Sequence, residues 1–120
     1  MENKEIIKIE DFKKMDIRIG TIKEVEAVPD TDKLLRCQVD FGETDENGAK
    51  KLRQIISGIH GFYLDPSVLI NKQVLYIINL EPRIIKGHQS NGMLMAVDGI
   101  DDQPVFLVPE IVVDAGSKVR

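Results

Sequence analysis

A chain of 120 residues, 42% hydrophobic and 30% charged, is long enough for one globular domain and too short for two. No apolar run approaches the ~20 residues of a membrane span, and the charged stretch Met1–Lys14 is unlike a signal peptide, so a cytoplasmic protein with no membrane partner is expected. One cysteine, Cys37, excludes an internal disulfide, and two histidines are too few to anchor a metal without carboxylate help, so no metal or cofactor is expected.

Strand signals dominate the chain. Ile9–Lys14 reads as a short helix. Met15–Val28 reads as a long first strand in which Ile17 and Ile19 share a face and Ile22 has the opposite parity. Gly20 lies at that phase change, which predicts a bulge or sharp bend there. Leu34–Phe41 alternates: Leu35, Cys37, Val39 and Phe41 point one way, and Arg36, Gln38 and Asp40 the other. Glu43–Lys50, with its Asp-Glu-Asn-Gly core, reads as a hairpin connection to a returning strand at Lys51–Gly58. Asp65 and Pro66 are placed as N-cap and first residue of a helical turn. Gln73–Leu80 is apolar at nearly every position, the pattern of a strand buried on both faces. Gly92–Val97 and Val105–Val108 are further strands.

Five or more short strands, a bent first strand and little helix point to an all-β fold. Within that class the pattern suggests a small closed barrel or sandwich; the bend suits a five-stranded Greek-key barrel of the oligonucleotide/oligosaccharide-binding (OB) type, with short helices and a C-terminal β extension, which strand count alone does not separate from other small barrels. Residues 1–120 form a single domain on this reading, with residues from about 99 to 120 as the extension.

Net charge is −4, which as a total argues against a nucleic-acid partner. The total conceals a division. Residues 1–47 carry 8 basic and 13 acidic side chains (−5), residues 48–95 carry 6 and 2 (+4), and residues 96–120 carry 2 and 5 (−3). Electrostatic fields are local, screened beyond about 10 Å, so an acidic protein can present one positive surface.

No catalytic signature stands out. There is no phosphate-cradling Gly-x-x-x-x-Gly-Lys loop and no Gly-x-Ser-x-Gly elbow. Asp30/Asp32 and Asp101-Asp102 read as solvated turn carboxylates, Cys37 as an inert core thiol, and His60 and His88 as loop histidines. The informative segment is Asn79–Met93, NLEPRIIKGHQSNGM, where Arg83 and Lys86 precede Gly87 and a polar Ser90-Asn91-Gly92 turn. Basic side chains beside exposed amides suit phosphate. OB folds bind through strands two and three and through the loops between strands one and two and strands four and five. Lys33 closes the first of those loops, Arg36 and Gln38 take the outer face of strand two, Arg53 and Ser57 share a face of strand three, and Arg83, Lys86 and Ser90 lie in the last loop. Aromatic residues are only 5% of the chain, and none lies among the basic residues of strands two and three. Without stacking platforms, structured RNA read by shape and phosphate position is the natural ligand.

These pieces together resemble the tRNA-binding domain found at the C-terminus of many methionyl-tRNA synthetases and as free-standing tRNA-binding proteins. The matching stretches are IEDFKKMDIRIGTI at Ile9–Ile22, TDKLL at Thr31–Leu35, RQIISGI at Arg53–Ile59 and NLEPRIIKGHQSNGM at Asn79–Met93. The resemblance implies non-catalytic tRNA binding in protein biosynthesis, as an accessory to an aminoacyl-tRNA synthetase catalytic chain. It carries candidate contacts onto Lys33, Arg53, Ser57, Asn79, Arg83, Lys86, Ser90 and Met93, to which the barrel reading adds Arg36. Asn79 has a structural alternative, since a polar residue in a buried strand must be hydrogen-bonded. The family usually has Lys-Pro where this chain has Glu81-Pro82, which removes a positive charge beside the site. Free-standing members carry a C-terminal extension that forms a homodimer, and here the apolar segments between Val105 and Val113 either pair with a second subunit or cover the Gln73–Leu80 strand. Two rivals remain: a chaperone-like binder of unfolded polypeptides similar to the CsaA-type export proteins, and a module that docks a synthetase without touching tRNA. The synthetase signatures His-Ile-Gly-His and Lys-Met-Ser-Lys-Ser are absent.

Overall fold

A computed structural model describes residues 1–63 and 65–120, apart from the side chain of His60. After helix α1 (Ile9–Lys13), five strands build the main sheet: β1 (Ile17–Ala27), β2 (Leu35–Thr44), β3 (Lys50–Ser57), β4 (Gln73–Ile77) and, later in the chain, β7 (Met93–Leu94). Two small hairpins leave it, β5 (Arg83–Ile85) with β6 (His88–Ser90), and β8 (Ala96–Asp98) with β9 (Pro104–Phe106). All the pairings are antiparallel.

The order β3-β2-β1-β4-β7 curls the sheet into a half-barrel of OB type. The long β1 is what allows this. Its first part, Ile17–Thr21, pairs with β4, and Thr21–Ala27 pairs with β2, so one strand serves both halves. The gap between β3 and β7 is bridged locally, where the Asn91 amide donates to the Gln54 carbonyl at 2.9 Å.

The irregularity expected at Gly20 falls elsewhere. Gly20 stays in register with Val74, and the register shift lies between Ile22 and Glu24. Gly20 answers a packing need instead: a Cβ there would lie 2.5 Å from Val39 Cγ1 and 2.7 Å from the Phe41 ring. Those residues belong to the core cluster with Ile22, Leu35, Cys37, Ile55, Leu69, Val74 and Tyr76. Phe41 meets Tyr76 edge-to-face at 5.3 Å. Burial pushes the Cys37 thiol up to about 11, which keeps it protonated and inert.

Both faces of β4 are covered. Val74 and Tyr76 face the core, and Ile77 is also buried although it belongs to the other parity. The strand ends at Ile77, short of the expected Leu80. The C-terminal segment lies alongside this part of the sheet. Ile19 donates to the Ser117 carbonyl, Val119 donates to the Ile17 carbonyl, and Leu75 donates to the Leu107 carbonyl. The side-chain amide of Gln73 both donates to and accepts from the Val113 backbone. The helical turn Pro66–Leu69 begins as expected, with the Asp65 carboxylate accepting the Ser67 amide at 3.1 Å.

Candidate nucleic-acid interface

The β5–β6 hairpin is the centre of the site. It closes through Lys86-Gly87, both in the left-handed region at φ +50° and +82°, the geometry of a two-residue turn matched to strand twist. This turn projects the Lys86 side chain from an exposed tip. The hairpin lies over the outer face of β2 and β3, where Arg36 pairs with Ile56 and Gln38 with Gln54. Ile56, on that outer face, is only 4% exposed.

Polar links hold the hairpin in place. Ser90 is 1% exposed and its hydroxyl accepts the Ile56 amide at 3.0 Å. The Gln54 side chain donates to the Gln89 carbonyl at 3.0 Å. Arg36 ion-pairs with Glu26 and bonds His88 Nδ1 at 3.2 Å. Ser90, read from the sequence as a loop contact, is thus a buried anchor. Asn79 lies beyond the end of β4, and its side chain accepts the Asp16 amide at 2.8 Å and donates to the Lys14 carbonyl at 2.6 Å. That latches the entry to β1, so Asn79 has a structural use, although it is exposed and outside the strand rather than buried within it.

The strand ladder separates residues that the sequence reading gathered together. Cross-strand partners share a face, and Arg53 pairs with Val39 while Ser57 pairs with Leu35. Both therefore project on the core side, opposite to Arg36 and Gln38. Arg53 sits at the edge of the core, its guanidinium 5.7 Å from the Phe41 ring centroid. It forms a forked pair with Glu43, at 2.8 Å from Nε and 3.0 Å from Nη2. Those hydrogen bonds, with the arginine's charge, outweigh partial burial and hold the Glu43 carboxyl below the usual range.

Other candidates remain exposed and available. Lys33 and Lys86 line one cleft of about 430 Å³ between the β1–β2 loop and the hairpin, together with Asp30, Asp32 and Ile85. Arg83, Met93 and the half-buried Ser57 line another of about 190 Å³. A groove of about 420 Å³ runs past Lys51, Leu80, Pro82 and Asn91. Among the described residues, Lys33, Lys51, Arg83 and Lys86 form no ion pair. Lys51 is the cation that the sequence reading missed. The signal was its place in the basic stretch of residues 48–95; its position opposite Glu43 in the ladder is visible only in the structure.

Aromatic side chains are mostly engaged with one another. Beyond the Phe41–Tyr76 contact, Tyr63 stacks on Phe106 at 5.6 Å. Among the described residues, no group of three or more histidine, cysteine or acidic side chains is arranged to hold a metal ion, and no helix is long and apolar enough to cross a membrane.

Residues 17–118 match the family model described as "Putative tRNA binding domain". Methionine–tRNA ligase of Porphyromonas gingivalis is 43% identical over 116 residues, covering 97% of this chain and 16% of the ligase. The Pyrococcus horikoshii ligase is 40% identical over 97% of the chain and 15% of the ligase. The chain thus spans about one sixth of the length of the curated relatives it matches. Among solved structures, a MetRS-related protein from Pyrococcus horikoshii superposes with a TM-score of 0.82 at 28% identity, covering 98% of this chain and all of that one. The chaperone CsaA from Bacillus anthracis follows with 0.79 at 28% identity, covering 97% of this chain and all of that one. With an OB-type half-barrel, a cationic hairpin over strands two and three, and a family match over most of its length, this chain belongs to the tRNA-binding domain family.

Proposed function

We propose that the chain binds tRNA by shape and phosphate position, without catalysis of its own, as an accessory tRNA-binding element for a methionyl-tRNA synthetase catalytic chain in the cytoplasm. The observation that carries this is the set of exposed cations Lys33, Arg83 and Lys86, which form no ion pair among the described residues and are grouped around one pinned hairpin. Cations held on a fixed frame suit a fixed phosphate pattern, and the shortage of exposed aromatic platforms favours structured over single-stranded RNA. A gel shift with bulk tRNA, repeated with an unfolded polypeptide as competitor, tests the reading. Retention of the tRNA complex in excess polypeptide supports it, and displacement by polypeptide favours a chaperone.

The second reading, a binder of unfolded polypeptides, draws on the likeness to CsaA and on an exposed apolar strip at Val108, Ile111 and Val112, beside a groove reaching Lys72. We assign that strip instead to a homodimer contact made by the C-terminal extension. Ile111 and Val112 are 73% and 86% exposed, more than solvent-facing side chains of this kind need to be. Sedimentation across a concentration range tests this: Ile111→Asp shifts the protein toward monomer if the strip is the contact, and leaves its mass unchanged if it is not.

A further inference from the structure

The excursion that carries Arg83 and Lys86 leaves the sheet after Ile77 and rejoins it at Met93, with Ile78 and Asn91 on its two stems. One guanidinium holds both of these points. Arg53 Nη1 donates to the Ile78 carbonyl at 2.7 Å and to the Asn91 carbonyl at 3.2 Å. Its other edge is the forked contact with Glu43. Four of the five N–H groups are therefore committed, and no two-pronged edge is left for a phosphate. The Arg53 side chain is 22% exposed and that of Glu43 is 32% exposed. Gln54, the next residue, extends the clamp through the Asn91 amide and the Gln89 carbonyl.

We propose that Arg53 and Glu43 are a positioning pair that sets the β5–β6 hairpin for RNA, and that Arg53 does not itself bind phosphate. The proposal rests on the tRNA reading above and gives one acidic residue beside a cationic site a favourable role. Glu43 orients the arginine fork, the fork fixes the two stems of the excursion, and the stems fix where Arg83 and Lys86 stand. The conformational freedom removed in advance is a cost not met on binding.

Charge alone and positioning predict opposite signs for one substitution. Glu43→Gln removes a negative charge near the RNA and releases Arg53. If Arg53 were a phosphate ligand, tRNA binding would tighten. As a positioning pair, the variant binds about tenfold more weakly, the scale of losing a charged hydrogen bond. Arg53→Lys keeps the charge and loses the fork. It weakens binding by a similar factor with the wild-type salt slope, because no phosphate contact is removed, whereas an arginine that met phosphate only as a point charge would tolerate lysine. Hydrogen exchange on the RNA-free protein gives an independent readout. Amides of residues 83–91 exchange faster in both variants while the β1–β2 ladder stays protected. Tighter binding by Glu43→Gln, unchanged binding by Arg53→Lys, or unchanged hairpin exchange overturns the proposal. If Glu43→Gln does not fold, Arg53→Lys carries the same comparison. Failure of the wild-type protein to bind tRNA would refute the functional reading instead, and the exchange result would still decide the clamp.

Discussion

Two segments outside the central strands are built on opposite terms. The excursion from Asn79 to Asn91 is cationic, with Arg83 and Lys86 against a single acid, Glu81, and side chains of β2 and β3 dock it to the sheet. The segment after Met95 is acidic, five carboxylates against two cations, and backbone pairing joins it to the sheet, with Gln73 and Arg18 side chains bonding its Val113 and Gly116 backbone. A side-chain clamp leaves the first segment's cations exposed and placed. Backbone pairing makes the second part of the fold and leaves apolar side chains at its surface. The −4 total is a sum over the whole chain and does not set the local balance, which is +1 on the excursion and is offset by Asp30 and Asp32 in the Lys33–Lys86 cleft.

The largest expected effect separates the segments by what each breaks. Gly116 has φ +88°, and a Cβ there would lie 2.1 Å from the Phe41 carbonyl oxygen. Gly116→Ala must push the C-terminal segment off β2, and we expect a loss of about 3 kcal/mol in thermal or denaturant unfolding. A variant as stable as wild type would show that this segment is not integral. On the excursion the effect moves to binding. Arg83→Ala with Lys86→Ala should lower tRNA affinity about tenfold or more and reduce the salt slope by about 2, with little change in melting temperature. Equal binding at low salt would remove the hairpin from the interface.

A smaller effect sharpens the charge side of the contrast. Glu81 is exposed beside Pro82 and Arg83. Glu81→Lys should tighten tRNA binding a few-fold and steepen its salt dependence, measured by filter binding. The smallest effect concerns acid. The lowered carboxyl of Glu43 means that its pairing with Arg53 stabilises the fold fully above the ordinary glutamate range, and the contribution fades as pH falls through the lowered folded-state value. Acid unfolding should therefore show a modest stability loss that Glu43→Gln lacks. An identical acid limb in the two proteins would contradict the pair's contribution.

Local patterns carried much of the fold. The alternation in Leu34–Phe41, the Asp45–Gly48 turn and the Asp65-Pro66 start are each set by neighbouring residues, and each is where the pattern places it. The candidate site was legible only as a segment: NLEPRIIKGHQSNGM marks the hairpin on which Arg83 and Lys86 are exposed. Pairing across strands was not legible. Arg53 and Glu43 meet because the β2–β3 register shifts between Asp40 and Glu43, an offset that neither strand's own alternation encodes. The regular part of the same ladder, Val39 opposite Arg53 and Leu35 opposite Ser57, puts those two residues on the side opposite Arg36. Ser90 looks like a turn residue and is buried because a hairpin from a later part of the chain folds back over β3. Gly20 sits at a change of hydrophobic phase, yet its size answers to Val39 and Phe41, about twenty residues away in sequence.

The central claim is that an acidic protein holds tRNA through a small, local set of phosphate contacts. A titration of binding to bulk tRNA against salt measures it most directly. We predict a complex at about 50 mM monovalent salt, lost on raising the salt several-fold, with a log–log slope of about −2 to −4, as expected for a few phosphate contacts. No complex at low salt, or one whose affinity does not change with salt, would contradict the account.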